Sequence, residues 1–205
     1  LKTAGEICKL FELTEDGKKL LKENQTPKQF LDLLNEKNLF KDAMRFLAFA
    51  LPKREAVWWG CQCVRFAFGK NLAGKYESAV QAAEKWVAGP TEETRWGAKK
   101  AADVAKLDTP SGMLAMAAFW SGGSMIPDNP KMQPVPPPEA MTAKTVTGAV
   151  LISPFLIEPA KAPEKKKKFV ALGIEVGSGT NRWKDAPAPP PVAAAKPGAP
   201  VPPRR

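Results

Sequence analysis

The sequence predicts an all-α protein, either a multi-helix antiparallel bundle or a short solenoid-like helical stack. Three observations predict it. Up to about residue 125, apolar residues recur at three- and four-residue spacing rather than in alternation. The four prolines there, Pro27, Pro52, Pro90 and Pro110, can each stand at a helix start, where the missing N–H costs no hydrogen bond. No apolar–polar alternation of strand type stands out before residue 140.

Each helix has its own signals. Two short helices open the chain, near residues 3–11 and 15–22. In TPKQFLDLLNEK, Thr26 is the N-cap, Pro27 opens the first turn, and Phe30, Leu33 and Leu34 share a face. In LFKDAMRFLAFA, Leu39, Ala43, Phe46, Leu47 and Ala50 fall at helical spacing. PKREAVWWGCQCVRFAFG starts at Pro52 and stops at Gly69, a glycine C-cap. KYESAVQAAEKWVAG aligns Ala79, Ala82, Ala83, Trp86 and Val87 and ends at Gly89. PTEETRWGAKKAADVAKLD carries Glu92 and Glu93 near its start and lysines later, as the helix dipole favours. TPSGMLAMAAFWSGG is capped by Thr109 and closed by Gly122 and Gly123. Short loops favour antiparallel neighbours. No exact period is found, so a repeat is not established.

Composition changes after residue 125. Of the 21 prolines, 17 lie from Pro127 onward. The organisation expected is an α-helical domain at 1–125, a proline-rich connector at 126–139, a C-terminal helical extension at 140–184 and a disordered Ala/Pro-rich tail at 185–205. In the extension, AMTAKTVTGAVLIS mixes strand and helix formers and is read as helix, because a lone strand would lack a partner. PEKKKKFVALGIEVGSG is read as a second helix, with an apolar patch of Phe169, Leu172, Ile174 and Val176. Its lysines oppose the dipole and are expected to fray the first turn.

Charge divides near the same place. Residues 1–130 carry 19 Lys/Arg and 16 Asp/Glu, whereas residues 131–205 carry 12 and 5. The nearly balanced helical domain needs no polyanionic partner, so nucleic acid is not expected despite a pI near 9.6. The chain has no histidine. That removes the commonest general base, the Ser-His-Asp and Cys-His pairs, and most catalytic zinc sites. Cys8, Cys61 and Cys63 are too sparse for a disulfide scaffold and suit a reducing cytoplasm. No signal peptide is expected, and the apolar run TVTGAVLISPFLI is too short to span a bilayer. The expectation is a cytoplasmic protein with no cofactor, no metal and no catalytic residue.

The densest stretch is LPKREAVWWGCQCVRFAFG, residues 51–69. On a helix, residues two apart point about 200° apart. Cys61 and Cys63 are therefore read as small buried hydrophobes rather than as a metal pair. Val57, Cys61, Val64 and Phe68 form one stripe, and Trp59, Cys63 and Phe66 form a second. A helix so apolar is central. A sharper reading makes Arg54, Trp58, Trp59 and Arg65 a candidate protein interface. Arg65 is read as an ion-pair partner or an interface contact. Lys165, Lys166, Lys167 and Lys168 form a candidate basic patch, either a solvated face or a site for acidic membrane or nucleic acid. GSGTNRW lacks the strand and spacing of a phosphate loop.

FLAFALPKREAVWWGCQCVRFAFG, then ESAVQAAEKWVAGPTEETRWGAKKAA and AAFWSGGSM, resemble an uncharacterised family of small helical bacterial proteins. Members are often encoded near type VI secretion genes. The resemblance extends through TAKTVTGAVLIS and FVALGIEVGSG, covering about residues 30–180. It implies no defined activity and no catalytic residues; it implies a secretion-system setting. The functional expectation is a non-enzymatic protein-binding or adaptor protein whose C-terminal extension protrudes to meet a partner, such as a secretion-system component. The alternative is a basic module that engages acidic membrane or nucleic acid through Lys165 to Lys168 and the C-terminus.

Overall fold

Five helices begin on a threonine. Thr3, Thr14, Thr26, Thr91 and Thr109 each accept a hydrogen bond from the backbone N–H three residues on, which satisfies one of the donors a helix start leaves open. The computed structural model describes residues 3–128 and 130–185. It contains α1 (Ala4–Cys8), α2 (Glu15–Leu20), α3 (Pro27–Glu36), α4 (Phe40–Ala50), α5 (Lys53–Phe68), α6 (Gly74–Ala88), α7 (Glu92–Ala105), α8 (Pro110–Phe119), α9 (Met141–Leu156) and α10 (Ala162–Ser178). No strand occurs among the described residues.

The helices form a bundle around α5 and α9. On one side lie α6, α7 and α8, packed on one another; on the other lie α3, α4 and α10. In a solenoid each unit touches only its neighbours. Here α9 packs on α4, α5 and α8, and α10 packs on α4 and α5, far back along the chain. The apolar faces explain it. Val146, Ala149 and Val150 of α9 and Phe169 and Val170 of α10 are wholly buried in the same core as Val57, Trp59 and Val64 of α5.

This differs from the expected protruding extension. The apolar stripes of α9 and α10 have no other surface to cover them, so burying them on α4 and α5 is the favourable outcome. Of residues 140–153, ambiguous in sequence, all but the N-cap Ala140 are helical within α9. The first turn of α10 is formed rather than frayed. It holds Pro163 and Glu164 ahead of the lysines, so an acid stands at the positive end of the dipole.

Residues 126–128 and 130–139 hold no helix. They make a returning loop rather than a spacer: the Met125 N–H donates to the Val135 carbonyl at 2.7 Å, and the Val135 N–H donates to Ser124 Oγ at 3.2 Å. The loop joins α8 to α9, which pack together. Of the tail expected to be disordered, 185–205, all but Asp185 lies outside the described residues.

Two glycines separate close packing from mere tolerance. A Cβ at Gly112 would collide with the Lys106 carbonyl, which is backbone and cannot swing away. A Cβ at Gly97, on the exposed face of α7, would meet nothing within 4 Å. Gly112→Ala is expected to destabilise by about 1–3 kcal/mol, and Gly97→Ala to stabilise by up to ~1 kcal/mol, by urea denaturation.

Candidate functional site

The four residues of the candidate interface on α5 are all engaged inside the protein. Trp59 is wholly buried, and its Nε1–H donates to the Phe169 carbonyl of α10 at 2.8 Å. Trp58 is also buried and donates to Asn181 Oδ1 at 3.1 Å. Arg54 donates from Nε to the Val87 carbonyl at 2.6 Å and from Nη2 to the Ala88 carbonyl at 3.1 Å. It thereby caps the C-terminal end of α6, where a cation is favoured. The indole of Trp183 stacks on its guanidinium at 4.2 Å.

Arg65 holds the other end of the same helix pair. It donates to Glu84 at 2.5 and 2.7 Å and to Glu77 at 3.0 and 3.2 Å, both on α6. Glu84 is the foremost reason that its pKa rises above the ordinary arginine value. Of its two readings, ion-pair partner and interface contact, the geometry is that of an ion pair. These four residues therefore hold the bundle together: the two tryptophans are buried, and the two arginines, part-exposed, have their guanidinium groups bonded to α6.

The basic patch is divided. Lys165 is buried, and its Nζ donates to the Ile157 carbonyl at the end of α9. Lys166 is half-buried with its Nζ 4.5 Å from the Phe155 ring, while Lys167 and Lys168 are exposed. The cause is the short turn Pro159–Lys161, which brings the start of α10 back against the last carbonyls of α9. Four consecutive lysines thus do two kinds of work, and only the last three face outward.

A different surface emerges at this corner. Lys53 pairs with Glu139 at 3.2 Å, and Gly60 faces Val146, so α5 and α9 run side by side in the same direction. That register brings Phe66, near the end of α5, to the C-terminal end of α9, which carries Phe155 and Leu156. Phe66 is 49% exposed, Phe155 48% and Leu156 52%. Phe66 also meets Phe169 edge-on at 6.5 Å, one turn along α10 from Lys166. Sequence reasoning placed Phe66 in a core stripe and missed the corner. Its signal was available only as the apolar pair Phe155–Leu156 directly after Pro154, where α9 is about to end.

Sequence reasoning also missed Arg95. It is 3% exposed, paired with Glu92 at 2.6 and 2.8 Å, and donates to the carbonyls of Phe119 at 3.0 Å and Ser124 at 2.8 Å. It ties α7 to the end of α8, and Gly123, at φ +65°, gives it room. Among the described residues no group of three or more Cys, Asp or Glu side chains could hold a metal ion. No helix there is long and apolar enough to cross a membrane.

Fold and surface together define an all-α, single-core helical bundle with an apolar corner bordered by lysine. The chain belongs to a family of unknown function, DUF6931, whose profile matches residues 30–177. No curated protein and no solved structure matches the chain.

The three thiols are buried and free. Burial pushes Cys61 and Cys63 well above the ordinary thiol range, and burial, aided by Asp42, pushes Cys8 up to about 11. At pH 8 the native thiols are expected to react with an aromatic disulfide reagent about 100-fold or more slowly than those of the unfolded chain. A pKa raised by folding means stability that is complete below the unfolded value and lost as pH rises toward the folded one. Urea midpoints are therefore expected to fall between about pH 9 and 11, and Cys8→Ala to remove part of that fall.

Proposed function

We propose that this protein is a non-enzymatic adaptor that binds another protein through the corner formed by Phe66, Phe155 and Leu156, with Lys166, Lys167 and Lys168 at its border. One observation carries the reading: three large apolar side chains, each about half exposed, lie toward one end of the α5, α9 and α10 packing, Phe66 edge-on to Phe169 and Phe155 under the Lys166 ammonium, with Leu156 next to it in sequence. Single exposed apolar residues are ordinary, but a cluster with a charged border has the anatomy of an interface. The lysines favour a partner whose complementary surface is rimmed with carboxylates. Resemblance to proteins encoded near type VI secretion genes points to a component of that machinery in the cytoplasm. Protonated, buried thiols and a chain without histidine support binding rather than turnover.

The test compares the native chain with a Phe155→Asp, Leu156→Asp double variant. Both residues are already exposed, so circular dichroism should show an unchanged fold. Partners captured by the native chain are identified, purified and titrated against both proteins. The reading expects affinity to fall at least ~30-fold in the variant, the loss typical when central apolar contacts of an interface are removed. Equal affinity for both proteins overturns it. So does a result in which acidic phosphatidylserine vesicles, but no protein, bind the native chain with steep salt dependence.

A further inference from the structure

A groove of about 740 Å³ lies on the opposite end of α10 from the apolar corner. That size falls within the roughly 300–1,000 Å³ of small-molecule sites. Its walls come from α3, α4 and the C-terminal half of α10, with Glu55 from the first turn of α5 and Trp183 on one rim. Leu31, Phe46, Leu47, Ala50, Leu51 and Ile174 give it an apolar floor. Gly177 keeps it open: a Cβ there would meet the Leu51 side chain at 3.4 Å and nothing else described within 4 Å.

The rim differs from the floor. Lys28, Glu55, Arg182 and Lys184 are the charged groups of the lining, three cations and one acid. Lys28 is paired with Asp32 at 2.7 Å. Arg182 and Lys184 are exposed, and neither pairs with a carboxylate among the described residues. Trp183 lies between them in sequence. One face of its indole rests on the Arg54 guanidinium at 4.2 Å, and its Nε1 is buried with no hydrogen-bond partner among the described residues. A buried donor without an acceptor is costly and rare. The rim is also held in place. Gly179, at φ +77°, ends α10, the N–H groups of Thr180 and Asn181 donate back to the Glu175 carbonyl at 3.0 and 3.2 Å, and Asn181 accepts from Trp58. Two unpaired cations and one unsatisfied N–H beside an apolar floor complement a molecule with an apolar body and an anionic head.

We propose that this groove binds an anionic amphiphile of the long-chain carboxylate class, with the apolar chain along the floor and the carboxylate at Arg182 and Lys184. An ionised carboxylate accepts hydrogen bonds without donating any, which suits two cations and an N–H. A singly charged carboxylate is favoured over a doubly charged phosphate monoester, because Glu55 repels further negative charge in the lining. Burial of the chain against the floor supplies the apolar part of the affinity. The site is separate from the Phe155 corner and does not rest on the adaptor reading.

The test titrates the full chain with dodecanoate, below its micelle-forming concentration, by calorimetry. One dodecanoate per chain is expected, with a Kd on the order of 10 μM. Dodecyltrimethylammonium, with the same chain and a cationic head, is expected to bind at least ~10-fold more weakly. Arg182→Ala with Lys184→Ala, both at exposed positions, is expected to weaken dodecanoate about tenfold. Gly177→Leu, which fills the groove from an exposed helical position, is expected to abolish binding while circular dichroism stays native. Phe155→Asp with Leu156→Asp is expected to leave binding unchanged, so the groove and the corner are read separately. Absence of saturable binding, equal affinity for the two head groups, or full affinity in Gly177→Leu overturns the proposal. Loss of binding in the corner variant also overturns it, because the amphiphile then sits on the corner.

Discussion

The hydrogen bond from the Trp59 indole to the Phe169 carbonyl joins two helices 110 residues apart in the chain, and the rest of the bundle is arranged around it. A buried indole N–H must find an acceptor, and Trp59, the largest wholly buried side chain among the described residues, finds its own on α10. The approach needs a glycine. A Cβ at residue 173 would press on the same indole nitrogen at 3.0 Å and on Leu47 of α4. Gly173 therefore lets α4, α5 and α10 meet at one point. On the far side, Gly60 brings α5 tightly against Leu114 of α8 and, at ordinary contact distance, against Val146 of α9.

Polar groups set the ends of this packing. Arg54 and Arg65 grip α6 at opposite ends, one through backbone carbonyls and one through two carboxylates. Arg95 does the same between α7 and the end of α8. Asp42 of α4 accepts from both the N–H and the hydroxyl of Thr14, which fixes the start of α2 on the bundle. Each buried charge has its partner within the protein, as a low-dielectric interior requires. The outcome is an interior that orients helices and a surface whose distinctive features lie elsewhere, at the Phe155 corner and the Trp183 groove.

Much of the helical framework was legible because its signals are local. Thr26 with Pro27, Thr109 with Pro110, and Gly69 and Gly89 mark helix ends, and at Gly69 a φ of +50° favours glycine. The two opening helices were read too long. Ala4–Cys8 and Glu15–Leu20 stop before residues 11 and 22, the ends expected from the sequence. The centrality of α5 was legible from its lack of a polar face, and the thiols are buried as that predicts. Partnership was not legible. Periodicity says that α9 has an apolar face, but not that Val146 will meet Gly60. A run of lysines says nothing of the Ile157 carbonyl that takes one of them inward. Phe66 shared a stripe with buried neighbours yet stands half exposed, while Ala67 beside it is buried.

The claim on which this account rests is that α9 and α10 complete the core rather than extend from it. The direct measurement is the urea unfolding of a chain ending at residue 139, followed by tryptophan fluorescence and circular dichroism. Loss of Val146, Val150, Phe169 and Val170 uncovers Trp59 and the apolar faces of α4 and α8. The account predicts a fragment that binds a hydrophobic dye and unfolds without a cooperative transition. A fragment that keeps a sharp transition, with a midpoint close to that of the whole chain, would contradict it.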